Sequence, residues 1–239
     1  MMIRHAIWVL LAALVPAPAL ADLTATYVAP HTMFTMTIEI ASNGDLRGDV
    51  GIPGNYFITR AGHGYFISNG PSGPIVMRVE DIATVVSEEL AKRDDHFPDE
   101  ATTAHDPKPE FVEKGTVAIN GRTGSAWYLK LENGQLSARP WAVVSHDPIL
   151  APLGRAMAMQ FDMSAAMMGK MMGGATGAGS GDAMEEILKT GAPLSFAGAE
   201  LKTVSTTSIS PTRFELPAEP ATLDIIRKTM IRATPKPQP

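Results

Sequence analysis

Four Asn-Gly dipeptides, Asn43-Gly44, Asn69-Gly70, Asn120-Gly121 and Asn133-Gly134, do most to limit how this chain can fold. Both residue types tolerate positive φ, so the pair favours the tight type I′ turn, whose twist matches two antiparallel strands. The flanks alternate as strands do. Phe34, Met36, Ile38 and Ile40 interleave with Thr35, Thr37 and Glu39, and Trp127, Leu129 and Leu131 with Tyr128, Lys130 and Glu132. The pattern predicts strands near 23–29, 33–41, 46–52, 56–60, 64–68, 74–79, 112–119, 125–132, 135–145 and 199–209. Connections this short require antiparallel neighbours. Pro140 inside 135–145 marks an edge or a bulge.

Three amphipathic helices accompany the strands. Residues 81–92 put Ile82, Val85, Val86 and Leu90 on one stripe, capped by Asp81 and closed by Lys92 and Arg93. Residues 222–232 repeat the design with Leu223, Ile226 and Met230 behind Thr222. The third helix covers about 149–172. Between them, 94–110 is a charged, Pro-containing loop, 173–181 (GGATGAGSG) has the composition of a flexible linker, and 233–239 is a disordered tail.

The chain begins as an exported protein does. MMIRH is a short basic start, AIWVLLAALV an apolar run, and Ala19-Leu20-Ala21 a small-x-small cleavage site, so a signal peptide over 1–21 and a periplasmic location are expected. The apolar run is half the roughly 20 residues a membrane-spanning helix needs, and no later segment approaches that length. Of 239 residues, 218 remain beyond the cleavage site, which suits a single domain over 22–232. There is no cysteine, so an ordinary apolar core must replace disulfides in an oxidising compartment. Loss of Arg4 leaves 19 basic residues against 25 acidic, a net charge of −6, which argues against nucleic acid as a partner.

Seven of the fourteen methionines fall between Met157 and Met172. On a helical wheel Met157, Phe161, Met168 and Met172 cluster within about 60°, with Met163, Met167 and Met171 extending the same side. Arg155, Asp162 and Lys170 lie opposite, and Met159 is the exception. Methionine makes an adaptable apolar surface. The helix therefore packs on the sheet, lids an apolar cavity, or binds Cu(I) through thioethers. Copper needs about three converging sulfurs, whereas Met163, Met167 and Met171 form a row, so no metal or other cofactor is assigned.

Other candidate sites resolve into ordinary structure. His31, Met33 and Met36 would form a mixed metal corner, but Met33 and Met36 face opposite sides of a strand. His63, His96, His105 and His146 lack the spacing of a helical metal site. Ala178 stands two before Ser180, so there is no G-x-S-x-G elbow, and Arg47-Gly48-Asp49 reads as a hairpin arm. No catalytic residue is assigned, and the chain is expected not to be an enzyme.

The segment order, with NGRTGSAWYLKLENGQLSARPWAVVSHDPILAPLG, the methionine-rich helix, the glycine run, Gly191-Ala192-Pro193-Leu194, Ser208-Ile209-Ser210-Pro211 and Phe214-Glu215-Leu216-Pro217, resembles a family of bacterial periplasmic proteins described as a domain of unknown function. That family is similar to the LolA/LolB-like lipoprotein-localisation proteins, the periplasmic carrier and its outer-membrane receptor. This chain departs from members that carry a cysteine near Ala126. The resemblance implies an α+β fold in which a strongly curved antiparallel sheet, an incomplete barrel, holds helices on its concave face. The expected function is binding or carriage of an apolar ligand, a lipid or lipoprotein acyl chains. The expected lining is Phe34, Met36, Ile38, Ile40, Trp127, Leu129 and Leu131, closed by Met157, Phe161, Met163, Met167, Met168, Met171 and Met172. The alternative is an envelope interaction module with a solid core, meeting a protein partner through 94–110.

Overall fold

The computed structural model describes residues 21–29, 34–49, 51–70, 72–92, 109–171 and 178–233; side chains at 34, 90, 162–171, 178–182 and 231–233 are not part of that description. The leader up to residue 20, the loop over 93–108 and the tail from 234 therefore lie outside the described residues, as do His31, Met33, His96 and His105.

The first meander comprises β1 (Leu23–Ala29), β2 (Phe34–Ile40), β3 (Leu46–Asp49), β4 (Tyr56–Arg60), β5 (His63–Gly70) and β6 (Gly73–Arg78). Helix α1 (Val79–Lys92) then leads toward β7 (Phe111–Ile119), β8 (Arg122–Leu129) and β9 (Ala142–Ser145). A short 3-10 helix at Pro148–Leu150, α2 (Ala151–Met171) and α3 (Ala178–Lys189) precede β10 (Ala192–Phe196), β11 (Ala199–Ser205), a 3-10 helix at Pro211–Phe214 and α4 (Leu223–Ala233). All eleven strands form one open antiparallel sheet in the order β6-β5-β4-β3-β2-β1-β11-β10-β9-β8-β7. The first and last strands meet in the middle of the sheet, where β1 pairs with β11.

Among the described residues, three two-residue turns have positive φ at both positions: Asn120-Gly121 (49° and 81°), Ala61-Gly62 (50° and 80°) and Ala197-Gly198 (46° and 84°). Only the first carries the Asn-Gly signal. An alanine in the left-handed region costs about 1–2 kcal/mol, which asparagine partly relieves through local side-chain hydrogen bonding. Ala61→Asn and Ala197→Asn should each stabilise the fold by about 0.5–1 kcal/mol, read as a higher urea midpoint at unchanged slope. An unchanged or lower midpoint would refute this.

Residues paired across strands share a face. Ile40, Leu46 and Thr59 form one such row and Ile38, Gly48 and Phe57 the next. On this face a single core joins Leu23, Ala25, Tyr27, Ile38, Ile40 and Leu46 of the sheet to Leu153, Met157, Met184 and Leu188 of α2 and α3. Toward the β6 edge, Met77 packs with Val85 of α1 and Ile226 of α4. The opposite face is also covered. Ile58, Tyr65, Ile67 and Val76 pack beneath Leu216, and Arg213 Nη2 reaches Glu39 at 2.8 Å and Asp49 at 3.2 Å. Residues 206–220 thus form a strap across β2–β6. It ends on the sheet edge, where the Ala221 N–H donates to the Val76 carbonyl. At its start the Asp22 carboxylate accepts the Ile209 and Ser42 N–H groups, which hold its pKa below the usual carboxylate range.

Arg47-Gly48-Asp49 has a local explanation. Arg47 pairs with Asp49 at 2.9 Å and stacks 3.6 Å over Tyr56, while a side chain at Gly48 would run into the Phe57 ring.

The sheet curls toward β7. The Asn120 amide, in the β7–β8 turn, donates to the Leu201 carbonyl of β11 at 2.8 Å. Four strand spacings separate β7 from β11, roughly 19 Å in a flat sheet. Tyr27 is fully buried and donates its hydroxyl to the Pro193 carbonyl at 2.7 Å across β11; burial pushes its pKa far above the ordinary phenol value.

Several expectations are corrected. The strand expected over 125–132 stops at Leu129, because Leu131 N–H turns back to the Gln135 carbonyl. The strand over 135–145 shrinks to Ala142–Ser145, with Pro140 in the irregular stretch before it, and β9 is an interior strand. The expected linker 173–181 overlaps α3, which starts at Ala178 and is held by Met184, Ile187 and Leu188 in the core. Strand β10 is absent from the strands that alternation predicts, and only the resemblance, which sets Gly191-Ala192-Pro193-Leu194 at the opening of a late hairpin, implies it. Strand β3 ends at Asp49, and β11 at Ser205, where the strap begins.

Candidate functional site

The end of the sheet where β1 stops and β2 begins gathers large side chains that the core only half covers. Met36, Phe111, Trp127, Trp141, Phe161 and Phe196 all pack against the main core while partly exposed. Strand order produces this grouping. Phe196 pairs with Ala142 and Ala142 with Trp127, so the two aromatics stand on one face on either side of a methyl group. Phe111 meets Trp141 with ring centroids 5.3 Å apart.

Helix α2 delivers Phe161 to this rim. Its first turns lie on the start of β10, where Gly154 touches the Gly191 backbone. It then follows β10, and Phe161 stands edge-on to Phe196 at 6.1 Å, with Tyr27 edge-on to Phe196 at 5.5 Å. The helix continues beyond Phe161 as Asp162–Met171, about 15 Å of further rise.

The expected lining residues divide accordingly. Ile38, Ile40 and Met157 are buried within the core. Met36, Trp127 and Phe161 are at the rim. Leu129 is half-buried and outside the core cluster. Leu131 is 42% exposed in the loop after β8, so it is not an inward-facing residue. Met159, the exception on the wheel, is exposed. Met163, Met167, Met168 and Met171 lie on the described helical backbone, but their side chains, like that of Phe34 and the whole of Met172, are outside the described residues. Sequence reasoning missed Phe111, Trp141 and Phe196. Phe111 and Phe196 sit at strand ends and Trp141 immediately before β9, so their neighbours are set only by sheet order.

A second concavity, of about 360 Å³, opens at the other end between β9, α2 and α3, beside His146, Asp147, Arg155 and Lys189. The run Ser145-His146-Asp147 has the residue types of a hydrolytic triad in unusable geometry. The His146 Nδ1–H donates to the Thr190 carbonyl, Ser145 Oγ accepts the Asp147 N–H, and Asp147 pairs with Arg122 at 3.0 Å. Lys189 is held by Glu185 and Glu186, whose hydrogen bonds raise its pKa. Among the described residues, no three His, Cys, Asp or Glu side chains converge as a metal site, and no helix is long and apolar enough to cross a membrane.

No protein-family model, curated protein or solved structure matches this chain.

Proposed function

We propose that this is a non-enzymatic periplasmic protein that binds or carries an apolar ligand, a lipid or the acyl chains of a lipoprotein. In this reading the sheet is an incomplete barrel with the helices on its concave side, and the far half of α2 closes over the aromatic rim. The observation that carries it is the set of large, half-buried apolar side chains around Trp127 and Phe196, at the place where the methionine-bearing helix sets Phe161 against Phe196. Such a rim gains little from water and much from hydrocarbon, at about 0.8 kcal/mol for each methylene buried. The resemblance to lipoprotein-localisation proteins points to the same ligand class.

Native mass spectrometry of protein purified from the periplasm tests the reading. A co-purifying lipid supports it, and repeatedly clean spectra overturn it. Met167→Ala combined with Met171→Ala should weaken uptake of a long-chain lipid about tenfold or more without loss of folding. Unchanged uptake would dismiss the lid.

The second reading, an interaction module with a solid core, draws on Ile38, Ile40 and Met157, which are 3%, 5% and 4% exposed and pack within one cluster. It expects the methionine pair to be ordinary core, so that their replacement lowers stability by several kcal/mol.

A further inference from the structure

The concavity between β9, α2 and α3 is built of small residues with two hydrogen-bond donors left over. Ala151, Gly154 and Ala158 recur at helical spacing along the side of α2 that lines it, so methyl groups and backbone form that wall and about 360 Å³ stays open. This is the small end of the roughly 300–1,000 Å³ of small-molecule sites. Leu188, 1% exposed, adds hydrocarbon from α3. Most polar groups around the hollow are already committed. Lys189 is held by Glu185 at 2.9 Å and Glu186 at 3.0 Å. The Asp147 carboxylate accepts from Arg122 and from the Ile149 N–H. The Thr190 hydroxyl donates to the Ile187 carbonyl, and the His146 Nδ1–H to the Thr190 carbonyl. Arg155 and Ser145 differ. Arg155 is exposed and has no acidic partner among the described residues. Ser145, only 4% exposed, accepts the Asp147 N–H through Oγ, yet among the described residues its own O–H has no acceptor. A donor held away from water is normally paired.

We infer that this concavity binds a compact organic anion, a carboxylate carried on a short hydrocarbon body. The Arg155 guanidinium takes the carboxylate in its planar fork, and the Ser145 hydroxyl supplies a further donor. Ala151, Gly154, Ala158 and Leu188 hold the hydrocarbon. Gly154 keeps the hollow shallow and its wall rigid, because it brings α2 against the Gly191 backbone. The site lies seven residues before Phe161 along α2, roughly 10 Å of helical rise, and does not depend on the carrier reading.

The test titrates the full chain with hexanoate, its neutral amide hexanamide, and inorganic phosphate, read by calorimetry and by backbone amide resonances. Hexanoate should bind saturably at millimolar concentration or below, move the Gly154 and Gly191 amide signals, and leave the Trp127 indole signal in place. Hexanamide and phosphate should each bind about tenfold or more weakly, the first lacking the charge and the second the hydrocarbon. Arg155→Gln, at an exposed position, should bring hexanoate down to the level of hexanamide. Ala151→Leu should fill the hollow and remove uptake of both. Absence of saturable hexanoate binding overturns the inference. So does equal binding of hexanamide or phosphate, a preference that survives in Arg155→Gln, or a shift confined to the Trp127 indole. The carrier reading is decided separately, by the co-purifying lipid.

Discussion

Phe214→Ala is expected to lower the free energy of unfolding by about 3–5 kcal/mol, one of the two largest single-residue effects in this molecule. Phe214 is 3% exposed, at the end of the 3-10 helix in the middle of the strap, and that helix lies against β3 and β4. Its truncation leaves a cavity under backbone that neighbouring ion pairs hold in place, so collapse is limited. Arg213→Ala should cost much less. The Arg213 side chain is 42% exposed, and half-solvated ion pairs are worth little, although Glu39, with its side chain only 13% exposed, loses its nearer guanidinium. Urea unfolding gives the global effect, and amide exchange at Ala221 reports the strap's far end. A midpoint that barely moves while Ala221 exchanges freely would mean that the strap opens by itself and is not part of the cooperative sheet.

Much of the meander can be read from the sequence because two local signals agree. At Asn120-Gly121 the turn chemistry and the alternation on both sides specify the same hairpin, and the strands β1 and β4 end where alternation ends. The reading fails where one signal is silent or extends too far. Ala61-Gly62 and Ala197-Gly198 make equivalent turns, but alanine gives no hint of positive φ, so neither alternation nor turn chemistry marks β10. Alternation through Leu131 continues past the true end of β8 because Asn133-Gly134 closes a loop and not a sheet hairpin. The start of α3 reads as linker because glycine, alanine and serine carry no periodicity, while the packing of Met184, Ile187 and Leu188 supplies what propensity lacks. The candidate site is harder still. Periodicity tells which side of a strand or helix faces inward, and Ile38, Ile40 and Met157 do face inward, but it cannot separate a cavity wall from a filled core. The rim depends on sheet order, which sets Trp127, Trp141 and Phe196 side by side although 69 positions separate Trp127 from Phe196 in the chain.

The second large effect reverses an ordinary rule. Alanine is favoured over glycine inside a helix by about 1 kcal/mol, so Gly154→Ala in α2 would be expected to stabilise. At this position a Cβ would lie 2.6 Å from the Gly191 carbonyl oxygen and 2.8 Å from its carbon. These are backbone atoms that no rotamer change can move aside. Overpacking of this kind costs about 1–3 kcal/mol, so against the helical gain the net effect should be a loss of up to about 2 kcal/mol. Gly191→Ala has no helical gain to offset it, and its Cβ would sit 2.3 Å from the Ser145 carbonyl oxygen; a loss of about 3 kcal/mol is expected. Gly154→Ala pushes α2 off the start of β10 and so draws Phe161 away from Phe196 further along, whereas Gly191→Ala presses on β9 at Ser145 and leaves the helix contact to Gly154. Urea midpoints for the two variants give the magnitudes, and tryptophan fluorescence follows the rim. If Gly154→Ala proves more stable than the wild type, helix propensity has won and α2 can ride higher on β10 at no cost. That outcome would weaken the packing argument and strengthen the view of α2 as an element built to move.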